Sequence, residues 1–283
     1  MELIDECCAW RLIRRVRAAV PSAGATFAEA GEPLLRVAAD ATWHPLAAVT
    51  DTARHLFDLY LPLALQTEYT VAQLGQSVDG RIATESGHSR FVTGSADIQH
   101  LHRLRALVDA VVVGPGTVAA DDPQLTVREV SGDNPVRVVL DPGQGLPLER
   151  RVFRDAAAVT LLLRDRPGAS PDAGVEVVSV TARDGYFPAQ AVLAQLRERG
   201  LHRVLIEGGG RTVSRFLAEG ALDRLHVTVA PVVIGSGRQG LNLPAVATMD
   251  EALRPACRQF QLGEDVLFAF TFSTGDAAPA DRP

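Results

Sequence analysis

Along the first third of the chain, apolar residues recur every three or four positions, and after residue 69 they gather into short continuous runs. In residues 3–20, Leu3, Cys7, Trp10, Ile13 and Val16 alternate with arginines, the spacing of an amphipathic helix that docks on a larger body. A second helix is expected over 50–60, ending before Pro62. The later runs predict strands at 69–76, 110–113, 136–140, 158–163, 175–180, 204–206, 225–229 and 266–272. Helices are expected at 95–108, capped by Ser95, at 188–199 and at 212–218, with a turn at Asp79-Gly80. Continuous apolar strands joined by helical crossovers specify an α/β fold, a mostly parallel sheet with helices on both faces. The last strand has no crossover helix before it and is expected to run antiparallel. The chain then reads as a helical extension over 1–66, an α/β domain over 67–274 and a disordered tail over 275–283, rich in Ala, Pro and Asp.

Composition narrows the chemistry. The chain has 283 residues, 47% hydrophobic and 22% charged, enough for a substantial core. All 28 basic residues are arginines, so a P-loop lysine, a Schiff-base lysine and a pyridoxal-phosphate lysine are excluded. Net charge is −6 and no arginine run is dense enough to follow a nucleic-acid backbone. Cys7, Cys8 and Cys257 have neither disulfide-framework nor zinc spacing. With acids at the N-terminus and no apolar run long enough to span a bilayer, the expectation is a cytoplasmic protein without a membrane partner.

Two glycine motifs follow predicted strands. Val113-Gly114-Pro115-Gly116-Thr117-Val118-Ala119 satisfies GxGxxA, with Asp141 at a later strand end. A dinucleotide fingerprint of the Rossmann type needs an uninterrupted helix there, and Asp122-Pro123 interrupts it. Glu207-Gly208-Gly209-Gly210-Arg211-Thr212 turns from a strand into a helix, which makes either a tight turn or a phosphate site at the helix N-terminus. The loop 234–238 adds Gly235, Gly237 and Arg238. Ser89, Thr93, Arg105, Asp121 and Arg128 crowd other turns, and guanidinium forks suit a phosphate. Arg103 and Arg105 lie two apart on one helix, so at most one should reach a site. His100 and His102 are expected to face solvent, and no metal site is expected.

Several motifs in order carry a family resemblance: Gln73-Leu74-Gly75-Gln76-Ser77-Val78-Asp79-Gly80-Arg81-Ile82-Ala83, residues 89–93, His102-Arg103-Leu104-Arg105, residues 113–123, Leu125-Thr126-Val127-Arg128, Glu207-Gly208-Gly209-Gly210 and the loop 230–237. The segment 68–273 resembles the pyrimidine reductase domain of riboflavin biosynthesis. That resemblance implies a dihydrofolate-reductase-like fold, a homodimer, NADPH as hydride donor and a small phosphorylated pyrimidine as substrate. The reaction it implies reduces a phosphoribosylamino-pyrimidine to its ribitylamino form, with hydride delivered to the ribose C1′. Cofactor contacts then fall on Gly75, Phe91, Gly114, Thr117, Asp121, Gly208, Gly209, Gly210, Arg211, Thr212, Val213, Ser214 and Arg215. Substrate contacts fall on Ser89, Thr93, Arg105, Leu125, Arg128 and Glu207. Glu207 is the candidate for holding the sugar or managing its proton; it could also serve only as a helix N-terminal carboxylate.

Two departures stand out. Bifunctional relatives carry a zinc deaminase with HxE and PCxxC patterns, and residues 1–66 contain neither, so no deamination is expected. Those enzymes also have a lysine where this chain has Gln73, which the resemblance makes the second candidate catalytic residue beside Glu207 and whose amide can accept as well as donate. Two other readings stay open: a relative that reduces a pterin or a secondary-metabolite precursor, and a catalytically silent nucleotide-binding protein. Retention of the phosphate-clamp residues argues against the silent one.

Overall fold

The computed structural model describes residues 3–19, 24–29 and 31–272, so the tail expected over 275–283 lies outside the described residues. The chain divides into two compact units, Met1–Tyr69 and Thr70–Pro283.

The first unit contains β1 (Leu3–Ile4), α1 (Glu6–Ala19), β2 (Ala25–Glu29), β3 (Glu32–Val37), β4 (Trp43–Pro45), β5 (Ala48–Val49) and α2 (Asp51–Ala64). Asp5 caps α1 by accepting from the Cys8 N–H at 2.8 Å. Leu3 therefore stays extended and exposed in β1, and the buried stripe runs through Cys8, Leu12, Ile13 and Val16 with Trp10, leaving Cys7 outside. Thr50 caps α2, accepting from the Ala53 N–H at 3.2 Å. Against expectation α2 continues through Pro62 to Ala64, because one missing N–H near a helix end leaves the last turn to close from Leu65 N–H onto the Leu61 carbonyl at 3.1 Å. Trp10 meets Tyr60 edge-on at 5.7 Å, which joins the two helices. The extension is not simply helical: β2, β3 and β4 form an antiparallel meander whose half-exposed residues gave no alternating signal.

The second unit carries β6 (Tyr69–Ser77), β7 (Arg81–Thr84), α3 (Ser95–Leu107), β8 (Ala110–Val113), α4 (Pro115–Asp121), β9 (Val136–Leu140), α5 (Arg151–Arg154), β10 (Thr160–Arg164) and β11 (Val175–Ser179). There follow α6 (Ala189–Arg197), β12 (Arg203–Glu207), α7 (Gly210–Ala218), β13 (Arg224–Ala230), β14 (Gly237–Gln239), β15 (Ala256–Leu262) and β16 (Asp265–Thr271). Nine strands form one sheet in the order β11-β10-β9-β8-β12-β6-β13-β16-β15. β8, β9, β10, β11 and β12 pair in parallel, as do β6 and β13, while β16 and β15 add antiparallel. Residues of alternate strand positions, among them Val112, Val138, Val204 and Ile206, pack with Val192 and Leu196 of α6 and Phe216 of α7. The other face buries Val111, Val113 and Leu205, and α3 covers it with Leu104 and Leu107. From β8 the chain moves outward through β9 to β11, then returns with β12 on the other side of β8. Such a reversal opens a crevice beyond the carboxyl ends of the two strands.

Three local expectations need correction. The N-cap of α3 is Gly94, with Ser95 already inside the helix. His100 and His102 are buried, because α3 packs along nearly its whole circumference and not through one stripe. β7, β14 and the edge strand β15 were missed; β15 is exposed on both faces, so its polar and apolar residues show no period.

His100 Nε2 and His226 Nδ1 share a proton-bearing hydrogen bond of 3.1 Å within the core. Burial pushes both rings below their ordinary range, His226 to about 3. Unfolded histidine protonates below pH ~6.5, whereas the folded pair does not until far lower, so stability is complete above 6.5 and falls as pH drops toward 3. Each ring contributes a slope of about 1.4 kcal/mol per pH unit. Urea unfolding at pH 7 and pH 5 should show a smaller acid loss in His100→Leu/His226→Leu than in the parent; equal losses would contradict this assignment.

Candidate active site

The crevice is a cleft of about 1440 Å³. Its floor is built where β8 turns through Gly114 into α4 and where β12 turns through Gly208 and Gly209 into α7. Gly208 has φ of +100°, a backbone setting that side chains with a Cβ rarely adopt. At Gly210 a Cβ would stand 2.0 Å from the Gly240 carbonyl oxygen, so only glycine lets the loop after β14 close over the start of α7. The Gly209 N–H donates to the Thr117 hydroxyl at 2.9 Å and locks the two turns into one cradle. α4 ends after seven residues at Asp122, which is left-handed, and this early stop separates the first motif from a Rossmann fingerprint.

Glu207 lines the cleft and meets Arg105, which lies behind the lining. Arg105 Nε donates to Glu207 Oε2 at 2.9 Å, its Nη2 to Glu207 Oε1, and its Nη1 to the Thr126 carbonyl at 2.9 Å. Both side chains are buried. Each nitrogen of this guanidinium donates one hydrogen bond to protein, so Arg105 fixes Glu207 in place and turns its fork toward that carboxylate, not toward the cleft as expected for a substrate phosphate. Glu207 lines the cleft and keeps lone pairs open to a donor.

Gln73, Gly75, Ser89, Phe91 and Thr93 line the same cleft, as do Gly114, Thr117 and Asp121, and Gly208 to Thr212 with Arg215. Phe91 is 85% exposed with φ of +63°, an uncovered aromatic on a strained backbone at the cleft wall. The Asp121 carboxyl is raised by partial burial, while Ser89 and nearby Arg238 pull it back. Val213 and Ser214 do not line the cleft: helical rotation turns Val213 into the core, and Ser214 Oγ accepts from the Asn242 N–H at 2.8 Å. Leu125 is also outside it, fully buried. Arg128 lies beyond the lining, with Nη1 donating to the Thr126 hydroxyl at 2.6 Å. Burial and the positive charge of Arg105 hold the Arg128 guanidinium below its ordinary value, so an anion beside it would be welcome.

Among the lining residues not singled out as candidates are Asp97 and Tyr186. Asp97 reads in sequence as a helix-dipole acid in the first turn of α3, yet it is buried at the cleft edge. Tyr186 sits in a loop with no motif around it; the Arg215 guanidinium lies 3.8 Å from its ring centroid and Arg211 donates to its hydroxyl. Asp141 is paired with Arg164 at 3.3 Å, which offsets its charge.

The model of the RibD C-terminal domain matches residues 68–260. The chain belongs to that family. It is 32% identical over 219 residues to the riboflavin biosynthesis protein RibD of Aquifex aeolicus, covering 75% of this chain and 60% of that protein. It is 34% identical to the 2,5-diamino-6-ribosylamino-4(3H)-pyrimidinone 5′-phosphate reductase of Methanothermobacter thermautotrophicus, over 72% of this chain and 97% of that one. Among solved structures, Acinetobacter baumannii RibD aligns at a TM-score of 0.64 with 29% identity, over 79% of this chain and 64% of that one. The chain thus spans about three fifths of these bacterial RibD proteins and nearly all of the archaeal reductase. Among the described residues no helix is long and apolar enough to cross a membrane.

Removing one partner of the buried pair leaves the other charge uncompensated, a cost of about 3 to 5 kcal/mol. Arg105→Ala should therefore destabilise the fold by that order in urea unfolding, and adding Glu207→Gln should restore part of the stability without restoring turnover. A stable Arg105→Ala protein whose only defect is a raised KM would mean that the arginine holds substrate instead.

Proposed function

We propose that the chain is an NADPH-dependent reductase that converts the ribosyl group of a 5-phosphoribosylamino-pyrimidine to ribityl, in riboflavin biosynthesis. The observation that carries the reading is one cleft whose lining joins a glycine cradle at the helix α7 N-terminus, with Glu207 beside it, to the polar pair Gln73 and Asp97. The near full-length match to an archaeal reductase of such a substrate supports it.

The residues present suit the cofactor. A Cβ at Gly116, Gly143 or Gly145 would meet nothing within 4 Å, so this wall offers bare backbone for close approach. First-turn N–H groups of α7, with the helix dipole behind them, suit an anion such as a pyrophosphate. Arg211 and Arg215, gathered on Tyr186, are the partners assigned to the 2′-phosphate, whereas Arg238 faces Asp121. NADPH, when bound, would supply the hydride to C1′ of the ring-opened imine, formed as the C1′–O4′ bond breaks and the amine proton passes to O4′; the imine nitrogen takes up a proton as it becomes the amine. The chain contributes position: Glu207 accepts from a sugar hydroxyl, Arg128 holds the 5′-phosphate, and Gln73 meets the pyrimidine edge. The same reading makes the protein a cytoplasmic homodimer, as the family resemblance implies.

The purified protein should oxidise NADPH with the amino or deaminated phosphoribosylamino-pyrimidine, followed by absorbance, and bind NADPH in preference to NADH. Losing charge-assisted bonds worth about 1.5 to 3 kcal/mol, Arg211→Ala/Arg215→Ala should erase at least tenfold of that preference. An unchanged preference would assign the 2′-phosphate elsewhere. Arg128→Ala should raise KM for substrate by a similar free energy with unfolding stability intact; an unaltered KM would remove Arg128 from the phosphate site. Gln73→Lys should move kcat/KM toward the deaminated, carbonyl-bearing pyrimidine, since an ammonium can only donate.

A further inference from the structure

We propose that Asp97 is a positioning residue that sets substrate specificity, by holding the Gln73 amide with its nitrogen turned inward and its oxygen presented to the cleft, where it accepts from a pyrimidine amino group. This rests on the reading of the cleft as a pyrimidine reductase site.

Gln73 on β6 stands in register beside His226 of β13, and Gly75 beside Thr228. Asp97, from the first turn of α3, lies over this pair of strands and is 4% exposed. Its Oδ1 accepts from the Thr228 hydroxyl at 2.6 Å and from Gln73 Nε2 at 3.1 Å. Its Oδ2 accepts from the Thr93 hydroxyl at 2.7 Å and from the same amide nitrogen at 3.3 Å. Room for this cluster depends on Gly75, where a Cβ would come within 2.8 Å of Thr93 Cγ2 and 3.1 Å of Asp97 Oδ2.

A carboxylate only accepts hydrogen bonds. Turning the Gln73 amide over would set its oxygen against both oxygens of Asp97, with no proton between them. The nitrogen must face inward, and Oε1 is the atom left for the cleft that Gln73 lines. Burial pushes the Asp97 carboxyl above its ordinary value, and nearby Asp265 adds to that; the Thr228, Thr93 and Gln73 donors pull it back toward the ionised, acceptor-only form. A pyrimidine amino group completes this chain of donors and acceptors. A ring carbonyl in its place would set oxygen against oxygen.

The test compares kcat/KM for the amino and the deaminated phosphoribosylamino-pyrimidine, at saturating NADPH, in the full-length protein, Asp97→Asn and Asp97→Ala. The parent should favour the amino substrate by tenfold or more. In Asp97→Asn the new amide can donate to Gln73 Oε1 as well as accept from its Nε2, so both orientations of the glutamine are populated and the ratio falls; in Asp97→Ala the amide is free and the ratio approaches one. NADPH binding, read by fluorescence, reports that a variant is folded. A variant that binds NADPH and keeps the parental ratio, whatever its absolute rate, overturns the assignment, because a merely structural acid would slow both substrates alike. A parent that prefers the deaminated compound overturns it without any variant. A parent that binds NADPH yet reduces neither pyrimidine overturns the functional reading and this inference with it.

Discussion

The buried fork between Arg105 and Glu207 joins the end of α3 to the end of β12, and the cleft is arranged around that joint. Two charges in a low-dielectric interior are tolerable only when they neutralise one another with good geometry. The pair therefore fixes where β12 stops, where the glycine turn begins, and how far α3 stands from the sheet. Asp97, Leu101 and Arg105 recur at four-residue intervals, so they share one face of α3. One end of that face fastens Glu207 and the other fastens Gln73, with about 12 Å of helix between them. A single helix thereby spaces the group assigned to the sugar from the group assigned to the pyrimidine.

A chain without lysine has no side-chain amine for covalent catalysis. What the cleft contains is a set of acceptors, donors and bare backbone held by second partners: Thr117 on Gly209, Arg105 on Glu207, Thr93 and Thr228 on Asp97. Hydride transfer depends on placing one carbon against the donor, and side chains whose own hydrogen bonds are satisfied by protein can place it without reorganising.

The central parallel strands were legible because burial on both faces leaves continuous apolar runs; β8 and β9 match their expected limits at both ends. β15 and the β2-β3-β4 meander were not, since partial exposure removes the period that marks a strand. Ordered motifs located most of the cleft, including the glycine turn and Thr117. They could not give direction: Arg105 belongs to the motif, yet its fork points at Glu207 from behind the lining, and Val213 and Ser214 belong to the motif, yet the helix turns them away. Asp97 was invisible for a related reason. An acid in the first turn of a helix is an ordinary companion of the helix dipole, and only the register of β6 against β13 shows what it touches.

The central claim is that this cleft brings a nicotinamide hydride to the sugar C1′ of a phosphoribosylamino-pyrimidine. Supplying NADPH deuterated at the transferring C4 position and analysing the product by mass spectrometry and NMR tests it directly. The account predicts one deuterium per molecule, located at C1′ of the ribityl chain. Product without label at C1′, or NADPH oxidation that leaves the ribosyl group intact, would contradict it.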